Sequence, residues 1–344
     1  MSWLEAFVGK NAGLYIDLGT ANTLVVDSKK GLIANEPSVI AYRDLGRGRK
    51  SIIAVGNEAK AVIGKTPGNL VASYPLKDGV IADIDTTEAM LRYFLTRAGS
   101  KFQMVRPSVV ISLPYGVSDV EKKAVKQAAL SAGAREVVLI EEPMAAAIGA
   151  GLPVNAPRGN MVIDIGGGTT EVAIISVCGI VHCEAVRIGG YAFDQAIVDH
   201  LRRQINLVIG DQTAEKLKIS IASAIPYETE VTAMVRGVDF ITGLPKEAKV
   251  TSAQVHDAIS SLLNEIIRAA KRALEQVPPD LVPDIIRDGI KLAGGGALLK
   301  GLDERLQDEL GIPVTIADEP LLAIARGGEA VLKQPALLER IALH

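Results

Sequence analysis

Two stretches of this chain share one order of apolar and polar positions. In 14–26 an apolar run meets a single aspartate, Asp17, then a small polar turn at 19–22, then a second apolar run. In 161–175 the order repeats around Asp164 and the turn 166–170. Short apolar runs joined by a glycine-bearing turn predict β-hairpins. A third segment, Ile290 to Ala293, predicts a short strand followed by Gly294, Gly295 and Gly296. Leu298, Leu302, Leu306 and Leu310 then recur every fourth residue, which predicts a helix stopped by Gly311 and Pro313.

The rest of the pattern alternates in the same way. Glu136 to Ile140 predicts a strand, and Pro143 suits the first turn of the Ala-rich helix that follows it. Gln254 to Gln276 predicts a long helix with Val255, Ile259, Leu262, Ile266, Ala270 and Ala273 on one face, ended by Pro278 and Pro279. Cys178 and Cys183 flank a strand turn expected at Gly179. Residues 150–159 read as a linker, and 219–250 is richer in Thr, Pro and charge, as an inserted subdomain would be. Alternating strands and helices predict an α/β fold.

Composition narrows the picture. With 48% hydrophobic and 4% aromatic residues, the 344-residue chain is an aliphatic protein large enough for two domains. A net charge of −3 gives no reason to invoke nucleic acid. The two cysteines form no CxxC and fit a reduced cytosolic state. The four histidines include no HExxH, so a zinc site is not expected. No apolar run reaches the length of a transmembrane helix and no secretory segment is expected, which predicts a cytoplasmic protein.

The two turns carry the candidate chemistry. Backbone N–H groups at glycine turns can approach a phosphate closely. If the two hairpins face one another across a cleft, a triphosphate between them meets both turns. Thr20, Asn22, Gly166, Gly167 and Gly168 are then the phosphate donors, with Gly19 and Ala21 in the same turn. A carboxylate beside a polyphosphate is repelled unless a cation intervenes, so Asp17 and Asp164 imply Mg²⁺, held through its waters. Gly294, Gly295 and Gly296, with Ala297 and Leu298, suit a flat ligand such as an adenine ring lying on bare backbone, or form a plain tight turn. One Asp-x-Gly is usually only a turn; two copies with the same flanks are harder to reach by accident.

Further segments make the pattern specific: Asn35-Glu36-Pro37-Ser38-Val39, Gly64-Lys65-Thr66-Pro67-Gly68, Lys77-Asp78-Gly79-Val80-Ile81-Ala82-Asp83, Ile140-Glu141-Glu142-Pro143-Met144-Ala145-Ala146-Ala147-Ile148-Gly149 and Pro278-Pro279-Asp280-Leu281. With the two hairpins and Gly294 to Leu299, they resemble the MreB family of bacterial actin-like proteins, within the actin, sugar-kinase and heat-shock ATPase superfamily. The resemblance runs in family order over nearly the whole chain. It implies an actin-like (ribonuclease H-like) two-domain α/β fold with four subdomains around a nucleotide cleft. The first core would take 1–34, 76–150 and 319–344, with an insert at 35–75. The second would take 151–205 and 252–318, with an insert at 206–251.

It also implies ATP or ADP with Mg²⁺ as cofactors and slow ATP hydrolysis. Glu142, in the family's Glu-Pro motif, would orient the attacking water, and Thr169 would help place that water or the γ-phosphate. Read without the resemblance, Glu142 only places negative charge at a helix N-terminus. Glu215 and Lys218, three apart on a predicted helix, would otherwise form a surface ion pair. The family's Glu-x-x-Lys places them, with Lys216 and Leu217, at the adenosine.

Trp3, Leu4, Phe7 and Val8 share one helical face that suits a bilayer interface, or a tail packed on its own domain. Phe102, Met104 and Val105 form an apolar loop tip between cations. Several family members bind membrane through these two regions. The implied function is a filament on the inner face of the cell membrane, with cell-wall elongation proteins as partners, organising wall synthesis and rod shape. A small-molecule kinase of the same superfamily would need a base for a hydroxyl, and none stands out. A heat-shock-type ATPase would need a peptide-binding domain after the core, for which the residues beyond Gly296 leave no room. A non-hydrolysing scaffold is the remaining alternative. Three positions depart from the family: Tyr191 for Asp after Gly189-Gly190, Tyr74 for Arg before Pro75, and Ser220 for Glu. Tyr191 is expected at a helix N-cap, where it is a poor acceptor, with Asp194 in the first turn complementing the dipole.

Overall fold

The computed structural model describes residues 13–46, 49–65, 70–77, 79–98 and 106–343. The chain divides into two compact units: 1–158 with 175–180 and 321–344, and 159–174 with 181–320. The apolar segments expected at 2–8 and 102–105 lie outside the described residues. Among the described residues, no helix is long and apolar enough to cross a membrane.

The first unit is built on a five-stranded sheet. Gly13–Leu18 pairs antiparallel with Asn22–Asp27, which pairs antiparallel with Gly31–Pro37. On its other edge Gly13–Leu18 runs parallel to Ser108–Leu113, and that strand runs parallel to Glu136–Glu141. Gly13–Leu18 and Ser108–Leu113 are buried along their whole length, as near-continuous apolar runs in a covered sheet should be. Strand side chains alternate between faces. Leu14, Ile16 and Leu18 join the core that includes Met90, Leu91 and Phe94 of helix Ile84–Ala98 and Val125 and Ala129 of helix Asp119–Ala132. Tyr15 and Asp17 face the other way, where Gly328 of helix Ala323–Leu332 lies against the Tyr15 ring. A separate sheet of Lys50–Val55, Ile40–Asp44 and Leu70–Ser73 and a two-stranded ribbon of Leu76–Lys77 and Val80–Ile81 belong to the same unit.

The second unit repeats the plan. Its main sheet has the order Gly179–Val186, Thr170–Ser176, Asn160–Ile165, Ile290–Ala293, Val314–Ile316, with the last three parallel. Met161, Ile163 and Ile165 enter a core shared with helices Gly190–Ile205 and Ser252–Glu275, and Asp164 lies on the opposite face. Helix Ser252–Glu275 starts at a capping box. The Thr251 hydroxyl accepts from Gln254 N–H, and the Gln254 side chain accepts from Thr251 N–H. Its buried stripe is Val255, Ile259, Leu263, Ile266, Ala270 and Ala273, with Leu263 in the place expected for Leu262. A three-stranded sheet of Leu207–Val208, Thr232–Asp239 and Pro245–Thr251 stands where the composition shift suggested an insert.

Two local expectations are corrected. The hairpin turn expected at Gly179 falls on Val177 and Cys178, both at positive φ (50° and 61°). Val177 N–H donates to Ala156 O, Cys178 N–H donates to Val154 O, and Arg340 donates to Val177 O, so the tip is held in a conformation a β-branched residue rarely adopts. The leucine helix does not begin at Leu298. Gly295–Leu298 is a 3₁₀ turn, Gly301 takes φ 68° at the N-cap, and the α-helix runs Leu302–Leu310. Leu298 is exposed, while Leu302 and Leu306 are buried, so the four-residue spacing continued across a break in the helix.

Candidate nucleotide site

In the first unit the expected turn is tight. Gly166 has its counterpart in Gly19, where a Cβ would lie 2.7 Å from Asn22 O, so only glycine closes this hairpin without displacing backbone. The turn is held from behind by Ser38. The Ser38 hydroxyl donates to Gly19 O at 2.6 Å, and Ser38 N–H donates to Ala21 O at 2.9 Å. Peptides here are trans, so a carbonyl and the N–H of the next residue point in opposite directions. Fixing Gly19 O therefore aims the Thr20 N–H away from Ser38. The Thr20 hydroxyl accepts from Gly79 N–H at 2.9 Å and ties a second segment to the turn.

Asp17 is buried on strand Gly13–Leu18 and sits in register with Ser112, whose hydroxyl is 3.5 Å from Asp17 Oδ1. Glu142 is buried at the start of helix Glu142–Gly149, immediately after strand Glu136–Glu141, with Pro143 in the first turn as expected. Its placement fits the dipole role in any case.

In the second unit the glycine turn is backed by a helix. Gly166 N–H donates to Thr169 O and closes the hairpin. Gly190 N–H donates to Gly166 O at 3.0 Å, and Tyr191 N–H donates to Gly167 O at 2.9 Å. Two of the helix's first N–H groups, which have no partner inside the helix, are spent on the turn. By the same trans geometry, the N–H groups of Gly167 and Gly168 point away from helix Gly190–Ile205 on one side of the turn. Neighbouring amides aimed together form an anion-binding nest. Contact at the junction is close: a Cβ on Gly189 would lie 2.6 Å from Gly166 O and 2.7 Å from Gly167 C.

This corrects the reading of Tyr191. The N-cap is Gly189, Tyr191 is the second helical residue, and its N–H is already bonded. Asp194 lies beyond the first turn. It is buried and takes an ion pair from Lys218, with Nζ 2.8 Å from Oδ1. Burial pushes the Asp194 carboxyl up, and Lys218 pulls it back down. Lys218 also donates to Gly190 O at 2.9 Å. Helix Asp211–Ile221 carries Glu215 and Lys218 as expected, but the ion pair resolved for Lys218 is with Asp194. Leu217 is buried in the core, and Lys216 is exposed. Ser220 Oγ donates back to Leu217 O.

Asp164 is the most perturbed group here. It is 5% exposed, its Oδ1 meets no hydrogen-bond donor among the described residues, and burial pushes its carboxyl up to about 7. Its register partner on the parallel strand is Ala293, which offers no hydroxyl. Gly294, at φ 77°, packs so closely that a Cβ would lie 2.7 Å from Asp164 Oδ1 and 2.4 Å from Ile165 O. Gly296 is pressed against the Ile165 side chain in the same way. Packing thus accounts for two of the three glycines, and Gly295 is exposed. Ala297 is buried in the core. Sequence reasoning missed Ser38, Ser112 and the Asp194–Lys218 pair. Ser38 stood in a matched segment, but nothing in a linear pattern says which hydroxyl will reach which carbonyl.

The family model described as MreB/Mbl protein matches residues 11–340. The chain is 49% identical over 322 residues to the cell shape-determining protein MreB of Escherichia coli (strain K12), covering 93% of each chain. It is 44% identical over 317 residues to the cell shape-determining protein Mbl of Bacillus subtilis (strain 168), covering 92% of this chain and 94% of that one. Among solved structures, MreB5 of Spiroplasma citri bound to AMPPNP superposes with a TM-score of 0.88 at 36% identity, covering 94% of this chain and 96% of that one. The MamK double helical filament subunit, at 23% identity and a TM-score of 0.80, shares the fold, covering 94% of this chain and 99% of its own. The chain belongs to the MreB/Mbl family, and its fold is the actin-like two-domain α/β fold.

Proposed function

We propose that this chain binds Mg²⁺-ATP, hydrolyses it slowly and polymerises into filaments on the inner face of the cell membrane. There it organises cell-wall synthesis and rod shape together with wall-elongation proteins. The observation that carries the nucleotide part is the second glycine turn. Its Gly167 and Gly168 N–H groups are aimed to one side by bonds from helix Gly190–Ile205, beside the buried Asp164. The S. citri relative was solved with AMPPNP and with ADP, which supports the same ligand class here. Filament formation is supported by the MamK assembly on the same fold, and the role in shape by the names of the E. coli and B. subtilis relatives.

The residues present fit Mg²⁺. A buried carboxylate oxygen without a donor, raised to about 7 by desolvation, is a group that a cation would stabilise in its charged form. Asp164 and Asp17 would hold the ion through its waters, and the ion would offset phosphate charge. Thr20, Asn22 and Gly166 to Gly168 bind phosphate. Glu142 and Thr169 place the attacking water. Glu215 and Lys218 serve the adenosine end, with Gly294 to Leu298. The two units divide further into the four subdomains set out above. Membrane contact rests on Trp3, Leu4, Phe7 and Val8 with Phe102, Met104 and Val105. Each anchor is worth only a few kcal/mol after ordering costs, so a filament that sums them binds where a monomer does not.

The test combines phosphate release with electron microscopy of purified protein in Mg²⁺-ATP, with and without anionic vesicles. Glu142→Ala should keep nucleotide binding and lose release, and Asp164→Ala should weaken Mg²⁺-nucleotide binding itself. Release unchanged in Glu142→Ala removes that residue from the mechanism. Vesicle co-sedimentation that survives deletion of both apolar segments removes the membrane assignment.

A further inference from the structure

Lys218 sits at one end of an unbroken line of hydrogen-bonded peptide groups. Its ammonium donates to Gly190 O at 2.9 Å. The same peptide group carries Tyr191 N–H, which donates to Gly167 O at 2.9 Å. That second peptide group carries Gly168 N–H at its far end, on the side turned away from the helix. A cation bonded to the first carbonyl polarises the first N–H, which polarises the second carbonyl and hence the last N–H. Peptide groups linked in this way strengthen one another. Bonds from a charged donor are the strong members of such chains.

The attachment is built in. Lys218 is 17% exposed, and its ammonium is held between Gly190 O and the buried Asp194 carboxylate at 2.8 Å. Glycine at 190 leaves room for this: a Cβ there would lie 3.3 Å from Lys218 Nζ. Of the three donors of the ammonium, one bonds Gly190 O, and the Asp194 carboxylate lies within ion-pair reach of its charge.

We propose that Lys218 is a positioning residue for phosphate: through Gly190, Tyr191 and Gly167 it orients and strengthens the Gly168 N–H that faces the anion. The proposal rests on the nucleotide reading above and replaces one part of it, exchanging the direct contact of Lys218 with the adenosine for an indirect role at the phosphate. A direct nucleoside contact weakens every adenosine-bearing ligand alike when removed. The relay weakens only those that carry phosphate.

The test uses the full chain and three probes: adenosine, ADP and AMPPNP, by calorimetry. Lys218→Met should lower affinity for ADP and AMPPNP about three- to tenfold and change adenosine binding less than about twofold. Lys218→Arg, which keeps a charged donor, should recover much of the loss. Lys218→Gln, which keeps a neutral donor, should resemble Met. In protein labelled with ¹⁵N-glycine and free of ligand, the Gly168 amide proton should move upfield in the Met and Gln variants and less in Arg. That readout needs no ligand and confirms folding in the same spectrum. An equal loss for adenosine and ADP overturns the relay in favour of direct contact. An unshifted Gly168 amide with unchanged ADP affinity overturns it altogether. A wild-type chain that binds none of the three probes overturns the nucleotide reading first, and the relay with it.

Discussion

The two turns follow the same order of apolar and polar positions and are braced by different means. In the first unit one residue, Ser38, supplies both bonds, from its hydroxyl to Gly19 O and from its N–H to Ala21 O. In the second, a helix supplies them, from Gly190 and Tyr191 N–H to Gly166 and Gly167 O. The aspartates differ in the same way. Asp17 runs beside Ser112 on the parallel strand, whereas Asp164 runs beside Ala293 and is left with an oxygen that no donor among the described residues reaches. One hairpin pattern has thus been used once where the neighbouring strand offers the carboxylate a hydroxyl, and once where it offers none. The difference lies in the neighbours, not in the motif.

The largest effect is expected in the part of the first unit that has no counterpart around Asp164. Helix Glu142–Gly149 crosses helix Ala323–Leu332 at glycine. A Cβ on Gly327 would lie 1.9 Å from Ala145 O, and one on Gly149 1.7 Å from Ala323 O. Backbone on both sides leaves nothing flexible to give way. Gly327→Ala should cost about 3 kcal/mol or more, at or above the usual range for overpacking. A thermal melt should show the loss in the first unit's transition. A melting temperature within a degree or two of wild type would mean that the helices separate cheaply and that Glu142 is less firmly placed than the contact implies.

Next in size is the contrast between the aspartates. The Asp164 carboxyl titrates near 7 when folded and near 3.8 when unfolded. Between those values the folded state holds the proton that the unfolded state has lost. The contribution of Asp164 to ligand-free stability is therefore fully present below pH 4, is lost as pH rises towards 7, and stays lost above it. Asp164→Asn should remove that slope and stabilise the ligand-free protein at pH 8 by on the order of a few kcal/mol. Asp17→Asn should do less, because Ser112 already offers Asp17 a hydroxyl. Added Mg²⁺-nucleotide should reverse the order and favour wild type, increasingly so from pH 6 to 8 as the competing proton leaves. Equal gains from the two Asn variants at pH 8 would break the comparison.

A smaller change makes one half resemble the other. Ala293→Ser puts a hydroxyl where Ser112 stands beside Asp17. A new bond to Asp164 should lower its pKa and raise ligand-free stability by about 1 kcal/mol, the net worth of one hydrogen bond. Mg²⁺-nucleotide affinity should fall, since the carboxylate then asks less of the cation. Denaturant melts and nucleotide titration on the same preparation check both signs.

Much of this architecture was legible in the pattern of residues. Both hairpins, the Glu136–Glu141 strand, the Pro143 helix start and the long helix at 252–275 follow from local periodicity and turn chemistry. What stayed hidden depends on contacts between distant segments. The leucine spacing 298–310 fits a helix, yet Gly296 is pinned against Ile165 and the chain must turn before the helix can begin. Lys218 is three residues from Glu215, but the carboxylate resolved at its ammonium comes from Asp194, 24 residues away and on another helix (218 − 194). Asp17 and Asp164 look equivalent in sequence because Ser112 and Ala293 are nowhere near them along the chain.

The smallest expected effect concerns Tyr191. As an N-cap it would have been a weak acceptor, and an Asp there would have raised stability by roughly 0.5–2 kcal/mol. Its N–H instead serves Gly167 O from the second helical position, so no cap bond waits to be made. A carboxylate at 191 would still favour the helix dipole, by about 0.3–1 kcal/mol. It would also stand three residues from Asp194 on the same helix, a like-charge spacing that costs about 0.2–0.5 kcal/mol. The two terms nearly cancel. Tyr191→Asp should therefore shift stability by less than about 0.5 kcal/mol, with turnover per subunit within about twofold. A clear rise in melting temperature would return Tyr191 to a capping role. A large rise in ATP hydrolysis without one would place a carboxylate at 191 among the groups that act on the nucleotide, and would make its absence here a functional difference between this chain and the family pattern.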